Sequence, residues 1–243
     1  MSLAAVALRP VRAPVVANER GVCGVIQLSA FGSAFAAHVR QSIAPGKIFV
    51  TEGDPATHFH IVISGTVTLF KLLPDGRRAI IGFRFPGEAF GLAAGDRHNC
   101  NAAATTPASV RRVPRPELDR LLLGSPGAAR SLFDLMAAEI VAGQEHMLLL
   151  GRKTAQERVA SFLVALSHRA ERCKDWIDLP ITRADIADYL GLTTETVSRV
   201  FTMIKHAGCI ALAGGRFRLL DRENLLALAE GEGEMDRRVR QLA

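Results

Sequence analysis

Apolar residues recur at two different periods along this 243-residue chain. From Ile43 to Val113, short runs rich in Val, Ile and Phe are broken by Pro45-Gly46, Glu52-Gly53-Asp54-Pro55, Ser64-Gly65, Pro74-Asp75-Gly76 and Pro86-Gly87. Such punctuation of β-branched and aromatic runs predicts antiparallel strands folded as a sandwich or roll. On either side the period is helical. Leu28, Phe31, Phe35 and Val39 would share one side of a helix over Leu28–Ser42. Pro116 to about Leu150 reads as helix, with a turn at Ser125-Pro126-Gly127. Within it Ala129, Phe133, Met136, Ile140, Gly143, Met147 and Leu150 alternate at the spacing of a coiled-coil seam. Gly143 either lets two backbones approach closely there or weakens the helix locally. Arg152-Lys153-Thr154 reads as a hinge, followed by an amphipathic helix with Val159, Phe162, Leu163 and Leu166 inward.

The most informative stretch is Ile181–Lys205, which predicts two short helices joined by a turn. Thr182 is placed to cap the first, with Asp185 as the reciprocal partner of a capping box. Ile186, Ala187 and Leu190 form its inward stripe, and Gly191 stops it where a left-handed residue costs least. Thr193 or Thr194 caps the second helix, whose buried face is Val197, Val200 or Phe201, and Ile204. This is the geometry of a helix-turn-helix whose second helix enters the major groove of DNA. Glu195, Ser198, Arg199 and Thr202 share its outward stripe. Arginine is bidentate to guanine O6 and N7, glutamate accepts from cytosine N4, and serine suits several base edges. The same Glu195 and Arg199 also have the spacing of an ordinary surface ion pair. Thr182, Arg183, Thr193, Thr194, Thr196 and Lys205 are placed for backbone phosphates, which position rather than specify. Beyond it, Cys209–Leu220 reads as two strands of a wing turning at Gly214-Gly215, with Arg216 and Arg218 facing phosphate or solvent. Asp221–Ala229 reads as a closing helix.

Composition narrows the classes. Hydrophobic residues make up 49% of the chain, enough for proper cores, and the formal charge of +6 agrees with a polyanionic partner. No apolar run has transmembrane length, so a cytoplasmic protein without membrane partners is expected. Cys23, Cys100, Cys173 and Cys209 are scattered, without zinc or cluster spacing. Cys209, near the DNA-binding unit, is the candidate redox thiol. No nucleophile–base constellation, P-loop or metal spacing is present, and an enzyme is not expected.

The span Lys47–Gly91, with I-x-x-G-x-V followed by P-G-E-x-x-G, resembles the cyclic-nucleotide-binding β-roll. Together with the helix-turn-helix it makes the chain similar to the CRP/FNR transcription regulators over nearly its full length. The resemblance implies an α+β chain. A flexible arm (1–27) precedes a β-roll (28–124), then a dimerisation helix (125–152) and a winged helix-turn-helix domain (153–243). The coiled-coil residues become the seam of a homodimer. Gly87 and Glu88 correspond to a remnant of the nucleotide's phosphate site. The segment Asp96–Ala102 lacks the family's Arg-Ser pair, which argues against cyclic AMP because the phosphate would lose its guanidinium. The FNR branch holds an iron–sulfur cluster on four cysteines. Here the arm has only Cys23, and the fourth position is Arg111. Yet Glu195-x-x-Ser198-Arg199 and Met147–Arg158 look like that branch, and the combination resembles the FixK group, which carries no cluster. The expected function is a homodimeric regulator, an activator, binding double-stranded DNA at TTGA-N6-TCAA sites of low-oxygen or nitrogen-oxide-linked genes. Loops at Asp75–Arg78 and Gly95–His98 would face RNA polymerase. Two alternatives remain: a haem-dependent nitric-oxide sensor of the same superfamily using His58 and His60, or a ligand-binding signalling module without DNA activity.

Overall fold

The computed structural model describes residues 35–92, 95–169 and 175–232. The arm at 1–27, Leu28 and Phe31 of the first expected helix, Cys23, Cys173 and the C-terminal tail lie outside them. Among the described residues the chain forms β1 (Arg40–Ile43), β2 (Ile48–Val50), β3 (His58–Ser64), β4 (Val67–Leu72), β5 (Arg78–Arg84), β6 (Ala89–Phe90), β7 (Asn101–Ala104) and β8 (Ala108–Pro114). Helices α1 (Arg115–Gly124), α2 (Pro126–Arg152) and α3 (Ala155–Arg169) follow. The C-terminal part comprises β9 (Ile177–Asp178), α4 (Arg183–Leu190), α5 (Thr194–His206), β10 (Ile210–Ala213), β11 (Arg216–Leu219) and α6 (Arg222–Glu230).

The eight N-terminal strands close as two facing antiparallel sheets, ordered β1-β8-β3-β6 and β2-β7-β4-β5. Val62, Val67, Leu69, Phe90, Ala102 and Val110 fill the space between them. The other face of β3 and β8 packs Phe59, Ile61 and Val113 against α1 and α2 through Leu118 and Leu135. The helix expected over Leu28–Ser42 is corrected here. Residues 35–37 form a turn, and Arg40–Ile43 is a strand paired with Ala108–Arg111. Val39, expected on one side with Phe35, is 76% exposed, whereas Phe35 is buried. The short apolar spacing fitted a helix, but ladder hydrogen bonds to β8 are non-local and carry no sequence period.

Ser125 separates α1 from α2 and caps α2, its hydroxyl accepting from the Ala128 N–H. Two stripes run down α2. Ala128, Leu132, Leu135, Ala142, His146 and Leu149 face the protomer's own body and are buried or half-buried. The stripe one residue on, Ala129, Phe133, Met136, Ile140, Gly143, Met147 and Leu150, is exposed in the single chain. Lys153 leaves α2 in extended conformation, and its ammonium is half-buried between Ser161 Oγ and the Ala229 carbonyl, both at 2.8 Å. Burial draws its pKa below the usual lysine value.

Candidate nucleic-acid interface

The two helices form as their sequence dictates. Thr182 is the N-cap of α4, its hydroxyl accepting from the Asp185 N–H at 3.0 Å and donating to the Asp185 carboxylate at 2.8 Å. The box is therefore closed through the hydroxyl. The other Asp185 oxygen accepts from Arg78 of β5. Gly191 ends α4 at φ 62°, in the left-handed region, with its N–H on the Ala187 carbonyl. Thr193 is the residue that caps α5, accepting from the Thr196 N–H at 3.2 Å. Val197, Val200, Phe201 and Ile204 are all buried, so both candidates for the second inward position, Val200 and Phe201, are core. Ile186, Ala187 and Leu190 meet them from α4.

Glu195, Ser198, Arg199 and Thr202 are all exposed along α5, on the side away from that core. Thr202 turns its hydroxyl onto the Ser198 carbonyl at 3.0 Å, which leaves Glu195, Ser198 and Arg199 as the groups facing outward. Among the candidates for phosphate, Thr193, Thr194 and Thr196 gather at the N-terminus of α5, where free N–H groups and the helix dipole favour an anion. Lys205 stands at the other end of the helix, about 16 Å along the axis. Thr182 is exposed beside the start of α4. Arg183 departs from expectation. Its guanidinium lies 3.3 Å from the centroid of the Phe201 ring, and burial lowers its pKa. It braces α4 on α5 by a cation–π contact. The wing turns at Gly214-Gly215 between β10 and β11, as expected, and gains a third strand, β9, that two residues were too short to announce. Arg218 lies over Trp176 at 5.3 Å, so Arg216, exposed at the turn, is the wing cation left facing outward.

Sequence reasoning missed the residues that hold this unit in place. Arg158 of α3 donates to three carbonyls: Leu150 at the end of α2 (2.8 Å), Lys153 at the hinge (2.9 Å) and Leu190 at the end of α4 (2.9 Å). Helix C-termini present unpaired carbonyls and a negative dipole, so one guanidinium serves both helices. Arg78 of β5 bonds Asp185 and Asp188 of α4. Tyr189 of α4 packs on Phe83 at 5.3 Å and stacks on His146 of α2 at 4.3 Å and 21°. The signal available in advance was Asp188, a second carboxylate three residues after the capping Asp185, for which a bare helix-turn-helix has no use.

In the β-roll, Gly87 and Glu88 make a turn rather than a ligand site. The Gly87 N–H donates to the Val62 carbonyl at 2.8 Å, and the buried Glu88 carboxylate accepts from the Phe85 N–H at 3.2 Å. Arg97, in the segment where the family's phosphate arginine would stand, is exposed and donates to the Gly53 carbonyl at 2.6 Å. These residues do not fit a cyclic nucleotide. A cavity of about 200 Å³ is lined instead by Gln41, Phe49, His58, His60, His98 and Arg112 among others. His60 is 4% exposed, its ring stacked on Phe90 at 5.1 Å, and burial with nearby Arg112 pushes its pKa down to about 3. His58 shares a hydrogen bond with the Thr57 hydroxyl at 2.9 Å. The Cys209 thiol is buried and its pKa is raised by desolvation, then by Asp221. A reactive thiol needs the opposite on both counts, so Cys209 is a core residue rather than a redox switch.

Two segments of the chain match known domain families. Residues 40–125 match the cyclic nucleotide-binding domain and 157–228 the Crp-like helix-turn-helix domain. Over 193 residues the chain is 40% identical to the nitrogen fixation regulation protein FixK of Bradyrhizobium diazoefficiens, covering 78% of this chain and 81% of the relative. The chain belongs to the CRP/FNR family of transcription regulators. Another member, the transcriptional activator protein Anr of Pseudomonas aeruginosa, is 39% identical over 78% of this chain and 80% of its own. The solved structure of FixK2 from Bradyrhizobium japonicum superposes with a TM-score of 0.75 at 39% identity, covering 79% of this chain and 97% of that one. The chain is thus a DNA-binding transcription regulator and not an enzyme, and a signalling module without DNA activity is set aside. Among the described residues no helix is long and apolar enough to cross a membrane, and no three His, Cys, Asp or Glu side chains converge as metal ligands.

Proposed function

We propose that the protein is a homodimeric transcription activator that binds TTGA-N6-TCAA sites and controls low-oxygen or nitrogen-oxide-linked genes, as its likeness to FixK and Anr implies. The observation that carries the reading is the exposed stripe of Glu195, Ser198 and Arg199 on a capped helix with an apolar inner face. In this reading Arg199 takes the half-site guanine, Glu195 the opposing cytosine, and Ser198 a flanking thymine edge. Thr182, Thr193, Thr194, Thr196 and Lys205 hold the backbone, and recruitment of RNA polymerase follows.

The dimer is supported by α2. Phe133 (65% exposed), Met136 (54%), Ile140 (63%) and Met147 (67%) form an exposed apolar ridge at heptad spacing among the described residues. Two copies meeting along it would place two recognition helices about 34–36 Å apart, one turn of DNA. The protein uses no cyclic nucleotide, iron–sulfur cluster or haem of its own in this account. The internal use of Glu88, the buried Arg111 at the fourth-cysteine position and the packed His60 support that. Fluorescence anisotropy with a TTGA-N6-TCAA duplex and a scrambled one tests the reading. Preference of at least a hundredfold is expected, and equal affinity for both contradicts it.

A further inference from the structure

Arg78 opens β5 on the surface of the roll, and its half-buried side chain reaches toward the DNA-binding domain. Its Nε and Nη2 donate to Asp188 Oδ2 at 3.0 and 2.9 Å, and Nη2 also reaches Asp185 Oδ1. Both acceptors belong to α4, three residues apart, on the side of that helix facing the roll. Asp185 is only 8% exposed and is also the capping partner of Thr182. A carboxylate so placed needs a cation, and its partner comes from the other domain. Beneath the ion pairs, Phe70, Ile80 and Phe83 of the roll share one buried cluster with Ile186, Tyr189 and Leu190. His146 of α2 closes the same joint by stacking on Tyr189. Helix α4 in turn shares that buried cluster with α5, Ala187 and Val197 among its members, so whatever orients α4 orients the reading stripe.

We infer that Arg78 is a positioning residue for DNA recognition: by gripping Asp185 and Asp188 across the domain boundary it sets the angle at which α5 is presented. The inference rests on the DNA-reading function proposed above. Two half-sites on one duplex accept only one separation and one mutual angle of the recognition helices, and a loosened joint populates that arrangement for a fraction of the time. Apparent affinity then falls by that fraction, although no DNA contact has been removed. The expectation that Arg78 would face RNA polymerase gives way to this inward role.

The test uses full-length Arg78→Glu, Asp188→Arg and the charge-exchanged double variant, with Asp185 and its cap intact. The readout is the ratio of affinities for the palindrome and a scrambled duplex, in which non-specific charge effects cancel. Hydrogen exchange over residues 183–190 is measured alongside, and Arg78→Gln serves as a milder form should Arg78→Glu fold poorly. Each single variant should lower the ratio about tenfold and speed exchange in α4, and the double variant should recover to within about threefold. Single variants that discriminate like the unaltered chain, or a double variant no better than the singles, overturn the inference. Should the unaltered chain itself fail to prefer the palindrome, the site assignment falls. Exchange in α4 then decides the grip separately: faster exchange in Arg78→Glu upholds it and unchanged exchange refutes it.

Discussion

Replacing Ile140 by glutamate separates the two stripes of α2 more sharply than any other single change. In the isolated chain Ile140 is 63% exposed, so its own fold has little to lose. Full burial of an isoleucine side chain contributes about 1.5–3 kcal/mol, and the fraction still exposed here corresponds to about 1–2 kcal/mol per chain. Across a two-fold axis both copies lose it, about 2–4 kcal/mol in total, which raises the dimer dissociation constant about 30- to 1,000-fold. Two facing carboxylates in an apolar seam add to that cost. Sedimentation equilibrium over nanomolar to micromolar concentrations, with circular dichroism to verify the helices, measures it. Leu135→Glu is the control, because Leu135 is 8% exposed on the inner stripe and its loss should unfold the chain. An Ile140→Glu protein that sediments like the unaltered one would refute the seam, and so would one that unfolds as Leu135→Glu does.

Arg158→Met removes three hydrogen bonds at the junction of α2, the hinge and α4, and should cost about 2–4 kcal/mol in thermal or urea unfolding. Gly191→Ala meets only ordinary contacts, Arg158 Nη1 at 3.5 Å and Leu150 Cδ2 at 3.6 Å. Its penalty is therefore that of the left-handed backbone, about 1–2 kcal/mol by the same assay. His60 stays neutral in the native state down to about pH 3 but is protonated below about 6.5 once unfolded. Its contribution is thus complete above pH 6.5 and is lost as pH falls, about 2 kcal/mol by pH 5, and His60→Phe should flatten the unfolding midpoint over that range. The Cys209 thiol, buried with a raised pKa, should react with a disulfide reagent only on unfolding, and Cys209→Ala should bind DNA as before.

What could be read from the sequence was whatever local chemistry decides. Thr182 caps because a hydroxyl before an apolar period can accept the free N–H groups of the first turn, and Gly191 terminates because other residues resist φ 62°. Thr193 and Thr194 were equal candidates that only the fold separated. The outer stripe of α2 was legible from its 4-3 spacing, whereas the inner stripe, Leu132, Leu135 and Leu149 among it, emerged only from burial in the fold. The exposure of Glu195, Ser198 and Arg199 was legible because residues opposite the apolar face of an amphipathic helix turn to solvent. What was not legible was non-local. β1 looked helical because Phe35 and Val39 are four apart, while its pairing partner lies some seventy residues on. Arg78, Arg158 and His146 act on residues brought near only by the fold, and no period records them. Arg183 shows the same limit within the site: its charge pointed to phosphate, and the Phe201 ring captured it.

In the proposed complex Arg199 reads the guanine of each half-site. Anisotropy titrations of the unaltered chain and Arg199→Ala, against the TTGA-N6-TCAA duplex and one with both guanines exchanged for adenine, test it most directly. The unaltered protein should lose about 1–3 kcal/mol per exchanged pair, whereas Arg199→Ala should bind both duplexes alike and still discriminate at the remaining positions. If Arg199→Ala instead weakens every duplex by the same factor and keeps its preference for guanine, Arg199 is a phosphate contact and the assignment is wrong.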